Sequence, residues 1–289
     1  MVCLRTLFDR QLGRSPPALP EGLRQLYDGD LQIPQIADRP YIVANFATTL
    51  DGVVSFKILG QSSGNEITGD NLLDHQIMGL LRACADAVIV GAGTFREAGS
   101  EHLWTSDYIC PSAVQLFQSL RWGRPRYPLT VIVTSSGKID MTSATFRSPG
   151  LKSLIITSAK GKRRIDAACS PAGCSTDVYA YRNVARTTPE HIVDLLGRTF
   201  RPGLTLLEGG PALFANFLRR GLIDELFLTI ASQIAGRDSK NVRPALIRDL
   251  AFTPQTAPWL QLLSIKRGGD QLYLRYRRAI GVAVNSQTA

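Results

Sequence analysis

The sequence predicts one α/β domain with a central, mostly parallel sheet, an antiparallel hairpin at one edge and helices flanking it. Three observations carry this. Strand and helix signals alternate from Arg39 onward. Segments such as "DAVIV" and "SLIIT" are apolar without interruption, as buried strands of parallel sheets are. The last two strand segments flank "RGGD", a turn sequence joining antiparallel neighbours.

Taken in order, residues 1–38 hold Pro16, Pro17, Pro20 and Pro34 and few periodic apolar positions, which predicts an extended arm wrapped on the domain or on a partner subunit. The domain runs over 39–279, and 280–289 form a tail. "YIVANFAT" reads as a strand ending at the turn Asp51-Gly52. "DNLLDHQIMGLLRACA" repeats apolar residues at helical spacing, with Asp70 as its cap. "DAVIV" is a strand ending at Gly91, and "PLTVIVT" and "SLIIT" are two more. "KGKRR" (Lys160 to Arg164) reads as a solvated loop. "PEHIVDLLGRTF" is a helix with Pro189 near its start. Leu204 to Leu218, "LTLLEGGPALFANFL", gives a strand, two glycines and a helix opened by Pro211. After Gly221, "DELFLTIA" is a strand, and "WLQLLSIK" with "DQLYLRYRR" makes the terminal hairpin, its arginines forming a wet face. No internal repeat or long linker divides the 289 residues.

Composition excludes several classes. With 44% apolar and 20% charged residues the chain is ordinary for a globular protein. Neither a signal pattern nor a run of eighteen apolar residues occurs, which predicts a soluble cytoplasmic protein without a membrane partner. Five scattered cysteines (Cys3, Cys84, Cys110, Cys169, Cys174) without a C-x-x-C pair suit a reducing compartment and no structural zinc. His75, His102 and His191 form no metal or catalytic set; His75 and His191 fit helix surfaces, and His102 lies where substrate would pass. A net charge of +9 is spread along the chain, which fits phosphorylated small molecules better than nucleic acid.

In open parallel sheets ligands bind outside the carboxyl ends of strands, and two such ends carry glycines, "VIVGAGTF" (Val88 to Phe95) and "LEGGPAL". Arg96 stands where the dinucleotide fingerprint needs its third glycine, so an ordinary Rossmann domain is disfavoured. Gly209 and Gly210 before a helix start make a phosphate site, because first-turn amides lack intrahelical partners. Glu208 would repel that phosphate; it caps backbone amides or faces a donor-rich part of a ligand.

"NFATTLDG" (Asn45 to Gly52), "ITGD" (Ile67 to Asp70), "LRACADAVIVGAGT" (Leu81 to Thr94), "LLEGGPAL" (Leu206 to Leu213) and "GLIDELFLTIA" (Gly221 to Ala231) stand in the order found in riboflavin-biosynthesis reductases. The chain resembles the C-terminal reductase domain of the bifunctional deaminase/reductase, of dihydrofolate-reductase-like fold, over about Arg39 to Arg278. It resembles the stand-alone pyrimidine reductases, and "LYDGDLQIP" (Leu26 to Pro34) looks like the N-terminal extension of one subgroup. The resemblance implies a homodimer that transfers hydride from NADPH to C1′ of a ring-opened diaminopyrimidinone ribosylamine 5′-phosphate, giving the ribityl compound. It implies that Gly209, Gly210, Pro211, Ala212 and Leu213 hold the cofactor pyrophosphate, with Gly91, Gly93 and Thr94 opposite, Thr48 at the nicotinamide and Ser135 at the adenosine side. Thr134, Ser135 and Lys138 either bind a 2′-phosphate or form an ordinary polar turn. Arg82 and Glu208 match substrate-binding positions; Arg82 otherwise pairs with Asp86 on a helix surface. Asp51 either transfers a proton as the catalytic candidate or shapes its turn.

Two departures mark the substrate end. After Thr94 the family continues with an acidic, proline-containing segment and then a Leu and an Arg that grip cofactor and substrate phosphate; here the text is "FREAGSEHLWTSD", with no arginine after Leu103. Glu66 replaces a tryptophan common before the Ile-Thr pair. Two other functions therefore stand beside the first, reduction of another heterocycle such as dihydrofolate, and a non-catalytic NADP-binding sensor whose pocket is plugged by Trp104 or the arm.

Overall fold

A computed structural model describes residues 3–10, 18–58, 60, 63–168, 176–181 and 187–279. Its strands are β1 (Arg5–Asp9), β2 (Tyr41–Thr48), β3 (Ala87–Gly91), β4 (Leu129–Thr134), β5 (Ser153–Ser158), β6 (Thr176–Tyr181), β7 (Leu204–Leu207), β8 (Glu225–Ile230), β9 (Leu260–Gly268) and β10 (Gln271–Arg278). Helices are α1 (Glu21–Tyr27), α2 (Ser63–Thr68), α3 (Leu72–Cys84), α4 (Ala92–Glu97), α5 (Ser106–Ile109), α6 (Val114–Ser119), α7 (Ala144–Arg147), α8 (Ala159–Ala168), α9 (Pro189–Thr199) and α10 (Pro211–Arg219).

All ten strands form one sheet in the order β1-β9-β10-β8-β2-β7-β3-β4-β5-β6. From β8 to β6 every neighbouring pair is parallel, and β1, β9 and β10 add an antiparallel edge. Strand alternation sends Val43, Val88, Val90 and Leu206 into one core with Leu80 and Leu81 of α3 and Phe117 of α6. Ile42, Ala44, Ala87, Ile89 and Leu207 enter a second core with α9 and Phe214 and Phe217 of α10. Both faces are covered, which is why the central strands read as unbroken apolar runs.

Three local expectations are corrected. The cap of α3 is Asn71, whose Oδ1 accepts from Leu73 N at 2.9 Å; Gly69 (φ 67°) and Asp70 (φ 53°) are left-handed and close α2 instead. "KGKRR" lies in α8, which buries Gly161 and Ile165 and leaves its cations outside, so a charged run was the wet face of a helix. The hairpin arginines are not all wet. Arg275 is buried, and its Nε donates to Glu225 Oε2 at 2.7 Å, while Arg277 reaches Glu225 Oε1 at 2.8 Å. The described part of 1–38 packs on this chain's own domain: β1 pairs with β9, and α1 buries Leu23 and Tyr27. Buried Lys266 fastens it, Nζ donating to Thr6 Oγ1 (2.7 Å) and Asp28 O (3.0 Å) and lying 4.1 Å from the Tyr27 ring centroid. Cys169, Cys174 and the tail 280–289 lie outside the described residues, and among those described no helix is long and apolar enough to cross a membrane.

Candidate active site

Strand order brings the two glycine turns together. β3 and β7 are neighbours, Val88 level with Leu206 and Ile89 with Leu207, so "GAGT" and "EGGP" leave the sheet side by side. Thr94 joins them, its Oγ1 accepting from Gly210 N at 3.1 Å. Gly209 has φ +123°, and a Cβ there would stand 2.9 Å from Thr94 Cγ2, so conformation and space both require glycine. Gly93 is open instead; a Cβ on it would meet nothing within 4 Å.

The nine-residue α10 starts at Pro211, and no acidic residue lies in its first turn. Phe214 N donates to Gly210 O, which leaves the amides of Ala212 and Leu213 ahead of the first intrahelical bond. These amides, the helix dipole and the open space over Gly93 suit a phosphate-bearing cofactor. The Gly210 amide is the exception, since the Thr94 hydroxyl already takes it.

A cavity of about 540 Å³ crosses the carboxyl ends of β2, β7, β3 and β4. Its walls include Asn45 to Ala47, Glu208 to Leu213, Gly91 to Thr94, and Thr134 to Ser136. The size is that of a pocket for a cofactor or small molecule. Gly91, Gly93, Thr94, Ser135, Gly209, Gly210, Pro211, Ala212, Leu213, Arg82 and Glu208 thus line one space. Lys138 does not; its carbonyl accepts from Arg96 Nη1, and Ser136 stands beside Ser135 in the wall.

Two candidates fall outside the cavity. Thr48 donates its hydroxyl to Thr49 O at 3.0 Å, and its neighbour Ala47 lines the wall in its place. Asp51 Oδ1 accepts from the Thr49 hydroxyl (2.6 Å) and Ala235 N (3.0 Å), and Oδ2 accepts from Gly236 N (2.8 Å). These bonds, the Thr49 hydroxyl foremost, hold its carboxyl far below the usual carboxylate range. Asp51 thus ties its own turn to the Ala235-Gly236 segment and stands outside the cavity lining.

Arg82 and Glu208 do meet, but each other. Arg82 Nε donates to Glu208 Oε1 at 2.9 Å and Nη2 to Oε2 at 2.7 Å, with both side chains buried. Arg82 Nη1 also donates to Leu103 O (3.3 Å) and Thr105 O (3.1 Å), and its Cζ lies 5.4 Å from the Trp104 ring centroid. Neither alternative expected at these positions occurs: Glu208 caps no backbone amide, and Asp86 serves Gly203 N and Leu204 N at 2.8 and 3.0 Å. His102 is buried between Trp104 and Tyr108, ring centroids 4.5 and 4.8 Å away, and does not line the cavity. Burial, aided by the Arg82 charge, pushes it down to about 3, so it stays neutral. Trp104 forms part of the wall, and the described residues of the N-terminal arm are not in the lining.

One residue went unnoticed in the sequence. Asp74, in the first turn of α3, is buried and lines the cavity. Thr229 Oγ1 donates to its Oδ1 at 2.8 Å, and Oδ2 has no partner. Burial pushes the carboxyl up to about 6; the Thr229 hydrogen bond and, more weakly, the nearby Thr68 hydroxyl oppose this, and the Glu208 charge adds to it. The signal was an acidic residue on the apolar stripe of α3, flanked by Leu73 and Ile77, both buried.

The comparisons agree with this architecture. A 25% identical stretch of 209 residues, 71% of this chain and 86% of the relative, links it to the 2,5-diamino-6-ribosylamino-4(3H)-pyrimidinone 5′-phosphate reductase of Archaeoglobus fulgidus. A pyrimidine reductase-like protein from Corynebacterium diphtheriae superposes with a TM-score of 0.65 at 23% identity, over 84% of this chain and 93% of that one. The riboflavin biosynthesis reductase of Saccharomyces cerevisiae gives 0.55 at 17%, over 86% and 93%. Residues 40–274 match the family model described as the RibD C-terminal domain, and the chain belongs to that family of riboflavin-biosynthesis reductases.

Proposed function

We propose that the protein is an NADPH-dependent reductase that converts the ribosyl group of a diaminopyrimidinone ribosylamine 5′-phosphate to ribityl. The observation that carries this is the single cavity joining an anion-ready helix end to a polar, acid-lined wall. Bound NADPH supplies the hydride. The amides of Ala212 and Leu213 seat its pyrophosphate, Gly91 and Gly93 allow close approach, and Thr94 braces the Gly209-Gly210 turn. Thr134, Ser135 and Ser136 close the β4 end, where hydroxyls suit the 2′-phosphate. Lys57, Arg96 and Arg248 line the same space and supply the positive charge a 5′-phosphate needs, compensating for the arginine missing after Leu103.

Titration with NADPH and NADH, followed by addition of the diaminopyrimidinone substrate while the nicotinamide absorbance is watched, tests the reading. Tighter binding of NADPH and loss of absorbance are expected. Tight binding without oxidation would overturn the substrate assignment and leave the cofactor site standing. A second expectation concerns that site alone. Gly210→Asp places a carboxylate at the start of α10, with its Cβ 3.2 Å from Thr94 Oγ1, and is expected to weaken NADPH binding by about 100-fold or more. Unchanged affinity in a calorimetric titration would move the pyrophosphate elsewhere.

A further inference from the structure

Five non-glycine residues among those described have a left-handed backbone, Asp28, Lys57, Asp70, Arg201 and Asp249, and of these Lys57 (φ 62°) is the one in the cavity wall. A Cβ crowds its own backbone in that conformation, which persists only where the surroundings over-determine it, above all at ligand clamps. The surroundings of Lys57 do so. Its N–H donates to Ser55 Oγ at 2.8 Å, and its Nζ donates to Val242 O at 2.9 Å. Outside the cavity lining, Glu66 Oε2 accepts from Phe56 N at 3.0 Å, and the Ile58 amide also faces this carboxylate. One side chain therefore grips the residue before Lys57 and the residue after it. Val54 N donates to Pro244 O, and Arg243 Cζ lies 4.5 Å from the Phe56 ring centroid, so the 53–58 segment is also tied to 242–245. Other cations in the wall answer to other groups. Arg82 serves Glu208, Arg96 gives Nη1 to Lys138 O, and Arg248 Nε lies 3.4 Å from Asp249 Oδ2. The Lys57 ammonium has three donors and gives one to Val242 O, which leaves two for a ligand.

We propose that Glu66 is a positioning residue, which fixes the backbone on both sides of Lys57 and so presents the Lys57 ammonium to the 5′-phosphate of the substrate. This rests on the reductase reading for the identity of the ligand. The carboxylate does not touch the substrate; it acts through the conformation of Lys57. A free lysine loses backbone and rotamer freedom when it meets a phosphate, and a lysine already held loses less, so the grip shows as affinity. Two features of the fold point the same way. Glycine would suit a left-handed residue 57 better than lysine does, so the side chain is kept there for its charge. Glu66 Oε1 is closed to water and has no partner, so the grip itself stands at a cost to the fold.

The test is calorimetric binding of the ribityl product of the proposed reaction, with and without its 5′-phosphate, in the presence of oxidised NADP. The ratio of the two affinities isolates what the phosphate contributes. Wild type is expected to bind the phosphorylated form about 10- to 100-fold more tightly, the range for hydrogen bonds to a charged group. Lys57→Met is expected to cut that ratio by about 10-fold. Glu66→Met strips the acceptor from Phe56 N and is expected to cut it by about 3- to 10-fold, with affinity for NADPH and for the unphosphorylated compound unchanged. Glu66→Gln keeps an oxygen for that amide and is expected to retain most of the ratio. In a Lys57→Met background Glu66→Met is expected to change the ratio no further, since its route to the phosphate has gone. Glu66→Asp, with the charge kept and the reach shortened by one methylene, gives the same comparison if Glu66→Met does not fold. A purely structural Glu66 would weaken both compounds alike. That result, or an undiminished effect of Glu66→Met without Lys57, overturns the proposal and leaves the reductase reading standing. A wild-type ratio near one does the same, whereas failure of both compounds to bind wild type overturns the two together.

Discussion

Glu208→Gln is expected to destabilise the fold by about 3–5 kcal/mol, the effect of stripping one partner from a buried ion pair. Arg82 has no way to shed its charge, since guanidinium groups stay protonated in proteins. Its side chain is 1% exposed, so no water replaces the lost carboxylate. Glutamine keeps one acceptor and turns an amide N–H toward Arg82 where an oxygen stood, so the pair becomes a clash of donors. The damage spreads to the cavity wall, because the same guanidinium holds Leu103 O and Thr105 O and underlies Trp104. Denaturant unfolding of Glu208→Gln, Arg82→Met and the double variant Arg82→Met/Glu208→Leu checks the account. Each single change is expected to lower the midpoint sharply, and the apolar double variant to regain much of the loss, because both desolvated charges have gone. A Glu208→Gln protein within about 0.5 kcal/mol of wild type would mean that the pair contributes little and that Glu208 is free to serve a ligand.

That pair shows what a sequence motif leaves open, namely which side chains meet in the fold. Glu208 drew notice because it precedes a strand-end glycine turn, and Arg82 because the family resemblance sets an arginine at that position; both line the cavity. Their mutual contact was not, because it spans 126 positions and depends on β3 and β7 being neighbours, an order that alternating strand and helix signals do not encode. The glycine turns were readable locally, as Gly209 shows, where a left-handed φ and the Thr94 side chain both exclude a Cβ. Thr48 and Asp51 were placed by motif alone, and local hydrogen bonds within "TTLDG" and to Ala235 and Gly236 claimed them. Arg275 looked like the wet face of an edge strand because alternation carries no information on what a face meets; β10 is interior to the sheet, and Glu225 across from it takes the charge. β1 was missed since a five-residue strand with an exposed, partly charged pattern has no periodic apolar signal, and pairing with β9 alone creates it.

Asp74→Asn is expected to make the unliganded protein more stable above pH 6, by about 1–3 kcal/mol, and to leave stability unchanged near pH 4. The direction follows from proton linkage. Burial raises the carboxyl from 3.8 in the unfolded chain to about 6 in the fold, so between those values the folded state binds more protons than the unfolded one. Stability contributed by this group is therefore fully present below about pH 4 and is lost as pH rises to 6. Above 6 the loss is complete and, at about 1.4 kcal/mol for each tenfold change in proton affinity, reaches about 3 kcal/mol. Asparagine carries no charge to desolvate and still offers Thr229 an acceptor in the place of Oδ1. Urea unfolding of both proteins at pH 4.5, 6 and 8 gives the comparison, with the difference growing over that series. Equal stability at pH 8, or a wild type that is the more stable there, would show that Asp74 is already satisfied in the fold. The penalty traces to burial of a carboxylate that lines the cavity, with one hydroxyl on Oδ1 and too few donors to offset the water it has lost.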